Sequence, residues 1–182
     1  IIIFIVLSSQ CLFSKNAENA ITTQPFGLFF IRTNIEYERL ITNLNDLGFS
    51  LCGRINISTQ KIGLNSDFAS NFTLNNAEFP STWAGIGASA RLYLEKEMEG
   101  LYIGLNLDNL NGENINSSAK VNANVFWFGL ESGCKFVFGK KGKGVIVTPS
   151  ASFILPIKYS NDNAKDMIGL FYSLGIAWGY QF

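Results

Sequence analysis

From Gly27 onward, large apolar residues recur at every second position, with small or polar residues between them. Phe29, Ile31, Ile35 and Tyr37 fall on one face, opposite Arg32, Asn34, Glu36 and Glu38. Phe49, Leu51, Gly53, Ile55 and Ile57 then oppose Ser50, Cys52, Arg54, Asn56 and Ser58. A period of two is that of a β-strand with two unlike faces. The same pattern sets Ala84–Leu94 against Trp83–Tyr93, Leu101–Leu107 against Tyr102–Asp108, and Phe126–Phe138 against Trp127–Lys135. Val145, Val147, Ala151, Phe153 and Leu155 form a sixth, less regular strand, in which Pro149 calls for an edge or a bulge. A seventh runs from about Met167 to Phe182.

The connections alternate in length. Short ones lie near residues 45, 98 and 141, and long ones at about 60–80, 109–120 and 156–166. That rhythm fits an all-β, antiparallel up-and-down barrel with turns at one end and loops at the other. The last strand follows a long connection and so ends at the short-turn end. Counting back, the strand from Gly27 begins at the long-loop end, which requires an earlier crossing. Barrels of this kind favour even strand numbers, so an eighth, short strand is expected around Glu18 to Gln24, ending at Pro25.

Register decides which face is which. Slipping a strand by one residue exchanges its faces, and a basic side chain at a bilayer midplane costs about 2–4 kcal/mol. The regular apolar faces are therefore expected to meet lipid. Arg32, Glu36, Arg54, Arg91 and Glu131 then point into the lumen as a charge network. An eight-stranded interior has room only for packed side chains. Arg and Glu should pair inside it, because an unpaired buried charge is costly. The inward faces also carry Gly85, Gly87, Gly104, Gly129, Gly133, Gly169, Gly175 and Gly179, which suits a tight lumen rather than a wide pore.

Composition agrees with distributed rather than clustered hydrophobicity. The 182 residues include 16 Phe, only 15% are charged, and mean hydropathy is +0.18. Yet no run reaches the roughly 18–20 apolar residues of a membrane-spanning helix. With 14 basic and 14 acidic residues, nothing argues electrostatically for a nucleic-acid partner. Ile1 to Leu7 reads as the apolar region of a signal peptide spanning residues 1–19, without its basic start. Cys11 offers lipidation as an alternative, although Gln10 departs from the small residue expected before it. Cys52 and Cys134 lie on opposite faces of their strands, so a disulfide between them is not expected.

The chain contains no His. Ser–His–Asp, Cys–His and His-based zinc chemistry are thereby excluded. Glu36 and Glu131 both face inward, but nothing in the sequence places them together as a catalytic pair. No enzymatic activity, cofactor or metal is expected.

The terminal Leu174, Ile176, Trp178, Tyr180 and Phe182 alternate with Gly175, Ala177, Gly179 and Gln181. This pattern resembles the signal that the barrel assembly machinery reads in outer-membrane proteins. Ala90-Arg91-Leu92-Tyr93-Leu94, Glu99-Gly100-Leu101-Tyr102-Ile103-Gly104 and Phe128-Gly129-Leu130-Glu131-Ser132-Gly133 resemble an uncharacterised family of small bacterial outer-membrane barrels over residues 20–182. The architecture is similar to OmpA-type and OmpX-type barrels. The resemblance implies a bacterial outer-membrane location with a periplasmic C-terminus, and a part in envelope integrity, adhesion or host interaction. Outer-membrane lipid and the assembly machinery are the implied partners, with a host or envelope partner at the loops. The peptidoglycan-binding domain that follows some such barrels is not expected here. A narrow solute channel and a lipocalin-like binding barrel are the competing readings.

Overall fold

The computed structural model describes residues 18–24, 32–44, 47–59, 82–95, 98–113, 122–140, 142–161 and 171–182. They form eight strands: β1 (Asn19–Gln24), β2 (Arg32–Leu44), β3 (Leu47–Thr59), β4 (Thr82–Tyr93), β5 (Gly100–Glu113), β6 (Asn122–Lys140), β7 (Lys143–Asn161) and β8 (Phe171–Gln181). Each pairs antiparallel with the next, and β1 pairs with β8, so the sheet closes on itself. Closure removes every sheet edge along the paired length and gives each strand one inward and one outward face. That is why the period of two is so regular. On β5, burial alternates without a break from exposed Leu101 to exposed Glu113.

The strand deduced from parity is β1. It pairs with β2 from Asn19↔Arg39 to Gln24↔Asn34, and with β8 from Ala20↔Gln181 to Thr23↔Trp178. Phe29, Ile31, Gly169 and the segment 1–17, with Cys11 and all but the last two residues of the expected signal peptide, lie outside the described residues.

Several boundaries differ from the sequence expectation. Residues 109–113 belong to β5 rather than to a loop. Their Asn- and Gly-rich composition conceals the inward positions Leu110 and Gly112, and all five residues pair with both β4 and β6. Similarly, β7 continues through 156–161, which the sequence suggested was loop, by pairing with β6 up to Ala123↔Asn161. Leu44 and Leu47 are partners, so the β2–β3 turn is tighter than the stretch from Leu44 to Gly48 implied.

Pro149 produces neither an edge nor a bulge. It pairs in register with Ile176 of β8, while the β6–β7 ladder is interrupted between Phe136↔Val147 and Gly133↔Ser150 without a change of register. The lost ladder positions reflect the missing N–H of proline. The register shifts fall elsewhere, between Leu40 and Thr42 on β2 and opposite Phe126/Trp127 on β7.

Among the described residues, inward apolar side chains gather into two clusters toward the barrel's ends. Leu40, Tyr93, Met98 and Tyr102 cluster at the short-turn end. Trp83, Leu110 and Val125, with Trp127 against them, cluster toward the other. Met98 belongs to the β4–β5 turn, which closes with Leu94 N–H donating to Leu101 C=O at 2.8 Å. It is completely buried and holds φ at 51°, a value uncommon outside glycine. The turn thus folds back to seat its side chain in the barrel mouth.

Candidate functional site in the barrel interior

Between the two apolar clusters lies a belt of buried charge. Alternation on β2 sends Glu36 and Glu38 inward, on β3 Arg54, on β4 Arg91, on β5 Asp108, and on β6 Glu131 and Lys135, all less than one-tenth exposed. Among the described residues, four carboxylates face three cations.

Arg91 is the hub. Its guanidinium forks onto Glu36, with Nη1 donating to Oε1 at 2.5 Å and Nη2 to Oε2 at 3.1 Å. Nη1 also reaches Glu38 at 3.3 Å, and Nη2 reaches Glu131 at 2.9 Å. The guanidinium carbon lies 4.9 Å from the centre of the Tyr102 ring. This planar multidentate geometry suits Arg and not Lys.

Neutral donors and the remaining cations complete the network. Glu38 accepts hydrogen bonds from the Ser50 hydroxyl at 2.5 Å and the Tyr93 hydroxyl at 2.7 Å, and pairs with Lys135. Glu131 accepts from the Tyr102 hydroxyl at 2.5 Å and from Asn106 at 2.9 Å. Arg54 Nε lies 2.9 Å from Asp108, which also accepts from Asn56 at 3.0 Å. Arg54 Nη1 is 4.0 Å from both Glu36 and Glu131, linking the Asp108 group to the hub. One continuous network therefore joins β2, β3, β4, β5 and β6.

Glycines on the inward faces make room for it. A Cβ at Gly87 would sit 1.8 Å from Asp108 Oδ1 and 3.0 Å from Arg54 Nε. A Cβ at Gly133 would sit 2.6 Å from the Tyr102 hydroxyl that holds Glu131.

The opposite wall is uncharged. Thr22 and Gln24 of β1, Thr148, Ser150, Ser152 and Ile154 of β7, and Ala177 of β8 face the network across a cavity. The space open to water centres there is about 50 Å³, enough for a few water molecules. A drug-sized ligand needs several hundred.

Of the five inward charges singled out from sequence, Glu36, Arg54, Arg91 and Glu131 come together here. The side chain of Arg32 lies outside the described residues. Glu36 and Glu131, which no sequence pattern joins, share Arg91 Nη2. Held by cations and hydroxyls, neither is presented as a free base. Glu38, Asp108 and Lys135 complete the network; the alternation places all three on inward faces, but only the cross-barrel geometry ties them to it. Glu36, Glu38 and Cys52 bring ligand atoms within 4.8 Å of one another. Arg91 already donates to both carboxylates, so a cation of the chain itself answers their charge. Cys52 is buried in the lumen, Cys134 is half-buried, and both are free thiols.

The five apolar positions of the terminal strand are all exposed, Leu174 through Phe182, on the outside of β8. Of the stretches 60–80, 109–120 and 156–166, where a loop partner was expected, 109–113 and 156–161 are strand and the rest lies outside the described residues. No protein-family model, curated protein or solved structure matches this chain.

Proposed function

We propose that this protein is an integral, non-enzymatic barrel of the bacterial outer membrane, with a structural or surface-interaction role in the envelope. The observation that carries the reading is an inverted distribution of polarity. Ile35, Leu51, Ile55, Ile86, Ile103, Leu105, Leu130, Phe153 and Ile176 stand exposed around the whole outer wall. Lysine, arginine and carboxylates fill the inside. A soluble monomer rarely leaves a contiguous apolar patch beyond a few hundred Å², whereas a lipid-facing barrel requires one on every strand. On β5 the outward series Leu101 to Leu107 gives way to Asn109, Asn111 and Glu113. Asn124 donates to both Asn109 and Asn111 there, a polar rim at the end that bears the longer connections.

The same distribution weighs against a lipocalin-like carrier, whose interior would be apolar. The packed ends and small central cavity weigh against a solute channel. In this reading the exposed Leu174, Ile176, Trp178, Tyr180 and Phe182 serve the barrel assembly machinery, the C-terminus is periplasmic, and segments 60–81, 114–121 and 162–170 meet the outside. Membrane fractionation with gel migration before and after boiling tests it. The barrel should require detergent and change mobility on boiling; recovery as a soluble monomer would overturn the proposal.

A further inference from the structure

The β6–β7 hairpin extends past its neighbour at the short-turn end. β5 begins at Gly100, opposite Lys135, whereas β6 and β7 remain paired through Phe136↔Val147 and Phe138↔Val145 to Lys140↔Lys143. Aromatic residues cross the outer wall beside this extension. One row runs Phe138, Val145, Tyr180, Ile21 and Tyr37 across β6, β7, β8, β1 and β2, and the next runs Phe136, Val147 and Trp178. Phe136, Phe138, Trp178 and Tyr180 are each about half exposed or more. One step further along the same ladder, two lysines are direct cross-strand partners. Like charges at that position destabilise a hairpin. No acidic residue lies in the intervening Gly139–Gly144 stretch to neutralise them, and Lys143 is exposed.

Aromatic rings, the amphipathic Trp178 and Tyr180 among them, followed by cross-strand lysines match a bilayer edge, where Trp and Tyr sit at headgroup level and basic residues meet lipid phosphate. We infer that the Lys140–Lys143 end of the β6–β7 hairpin, below the Phe136/Phe138/Trp178/Tyr180 wall, is a binding site for anionic phospholipid headgroups. The inference rests on the membrane reading above. The lipid phosphate supplies the charge that the hairpin lacks, and the rings fix the depth at which the exposed Lys143 stands. Each lysine contributes up to about five-fold to local lipid enrichment, the attraction of one basic side chain to an anionic surface. The preference weakens at high salt as the Debye length falls to about 3 Å near 1 M.

Trp178 supplies the readout, being exposed while Trp83 is buried inside with Trp127 packed against its cluster. The full chain is folded into phosphatidylcholine bilayers containing a minority of phosphatidylglycerol, with bromine on one lipid or the other. Brominated phosphatidylglycerol should quench Trp178 several-fold more, per mole of bromine, than brominated phosphatidylcholine. The preference should fall several-fold in K140Q/K143Q, which retains Lys141, and persist in K140R/K143R. Equal quenching by both lipids in the natural chain, or an unchanged preference in K140Q/K143Q, overturns the site alone. Failure to enter any bilayer overturns the membrane reading with it.

Discussion

Asn19 and Phe182 exchange both backbone hydrogen bonds across the barrel seam, at 3.1 Å from the Asn19 N–H and 2.8 Å from the Phe182 N–H. The first and last described strands are thereby locked in one register. Ile21 then faces Tyr180, and both side chains are exposed. Cα atoms of such antiparallel partners lie about 4.5–5.5 Å apart, within disulfide reach. The I21C/Y180C variant should therefore cross-link spontaneously on oxidation. After boiling without reductant it should migrate faster than the reduced chain, because nearly the whole polypeptide becomes a loop. Absence of the cross-link would mean a different seam register.

Substituting Phe182 separates its backbone from its side chain. F182A keeps the hydrogen bonds to Asn19 and removes only the ring. If the ring is part of an assembly signal, surface levels should fall several-fold while barrel refolded in detergent keeps its stability. Unchanged surface levels would remove Phe182 from that role.

Arg91 serves three carboxylates. R91A leaves Glu36, Glu38 and Glu131 without their common cation and should cost about 3–5 kcal/mol, the usual result of stranding a buried charge. R91K should recover only part of that, since an ammonium cannot fork onto Glu36 while reaching Glu131. Urea unfolding of the folded barrel measures both. A loss below about 1 kcal/mol for R91A, the range of an exposed pair, would contradict the buried network.

Gly87 gives way to the Arg54–Asp108 pair. G87A should destabilise by about 1–3 kcal/mol through overpacking. In the D108A background its added cost should shrink, because the atom it would strike is gone. Additive losses would show that the two positions do not touch.

Ion flow tests the packed ends. With Met98, Tyr93 and Tyr102 closing one mouth and Trp83, Leu110 and Val125 the other, the folded barrel should pass no steady current across a planar bilayer. Reproducible conductance steps would favour the narrow-channel reading.

The strands were legible because closure makes every strand obey the same simple rule. Seven could be read from alternation. β1 could not, being only Asn19–Gln24; it followed from counting crossings. The ends of β5 and β7 were hidden by composition, since Asn109, Asn111, Asn161 and Pro156 carry turn-like identities yet hold ladder positions. The interior was half legible. Alternation marks Glu36, Arg91 and Glu131 as inward, but they come from β2, β4 and β6, strands that are not neighbours. Their meeting depends on how the wall curves, which no single strand's pattern contains. Glu38 and Lys135 were overlooked as partners for the same reason.

The Glu38–Lys135 pair spans 97 residues of chain. Arg54 stands across from Glu36 on β3, but the cations that answer Glu38 arrive on β4 and β6, so the β2–β3 hairpin neutralises only part of its own interior. A half-curled sheet would present bare acids and bases to whatever fills its concave side, and each added strand would relieve only part of that penalty. The charged belt thus acts as a proofreader of assembly: it is satisfied only when β2 through β6 stand together, and leaves few stable stopping points before that.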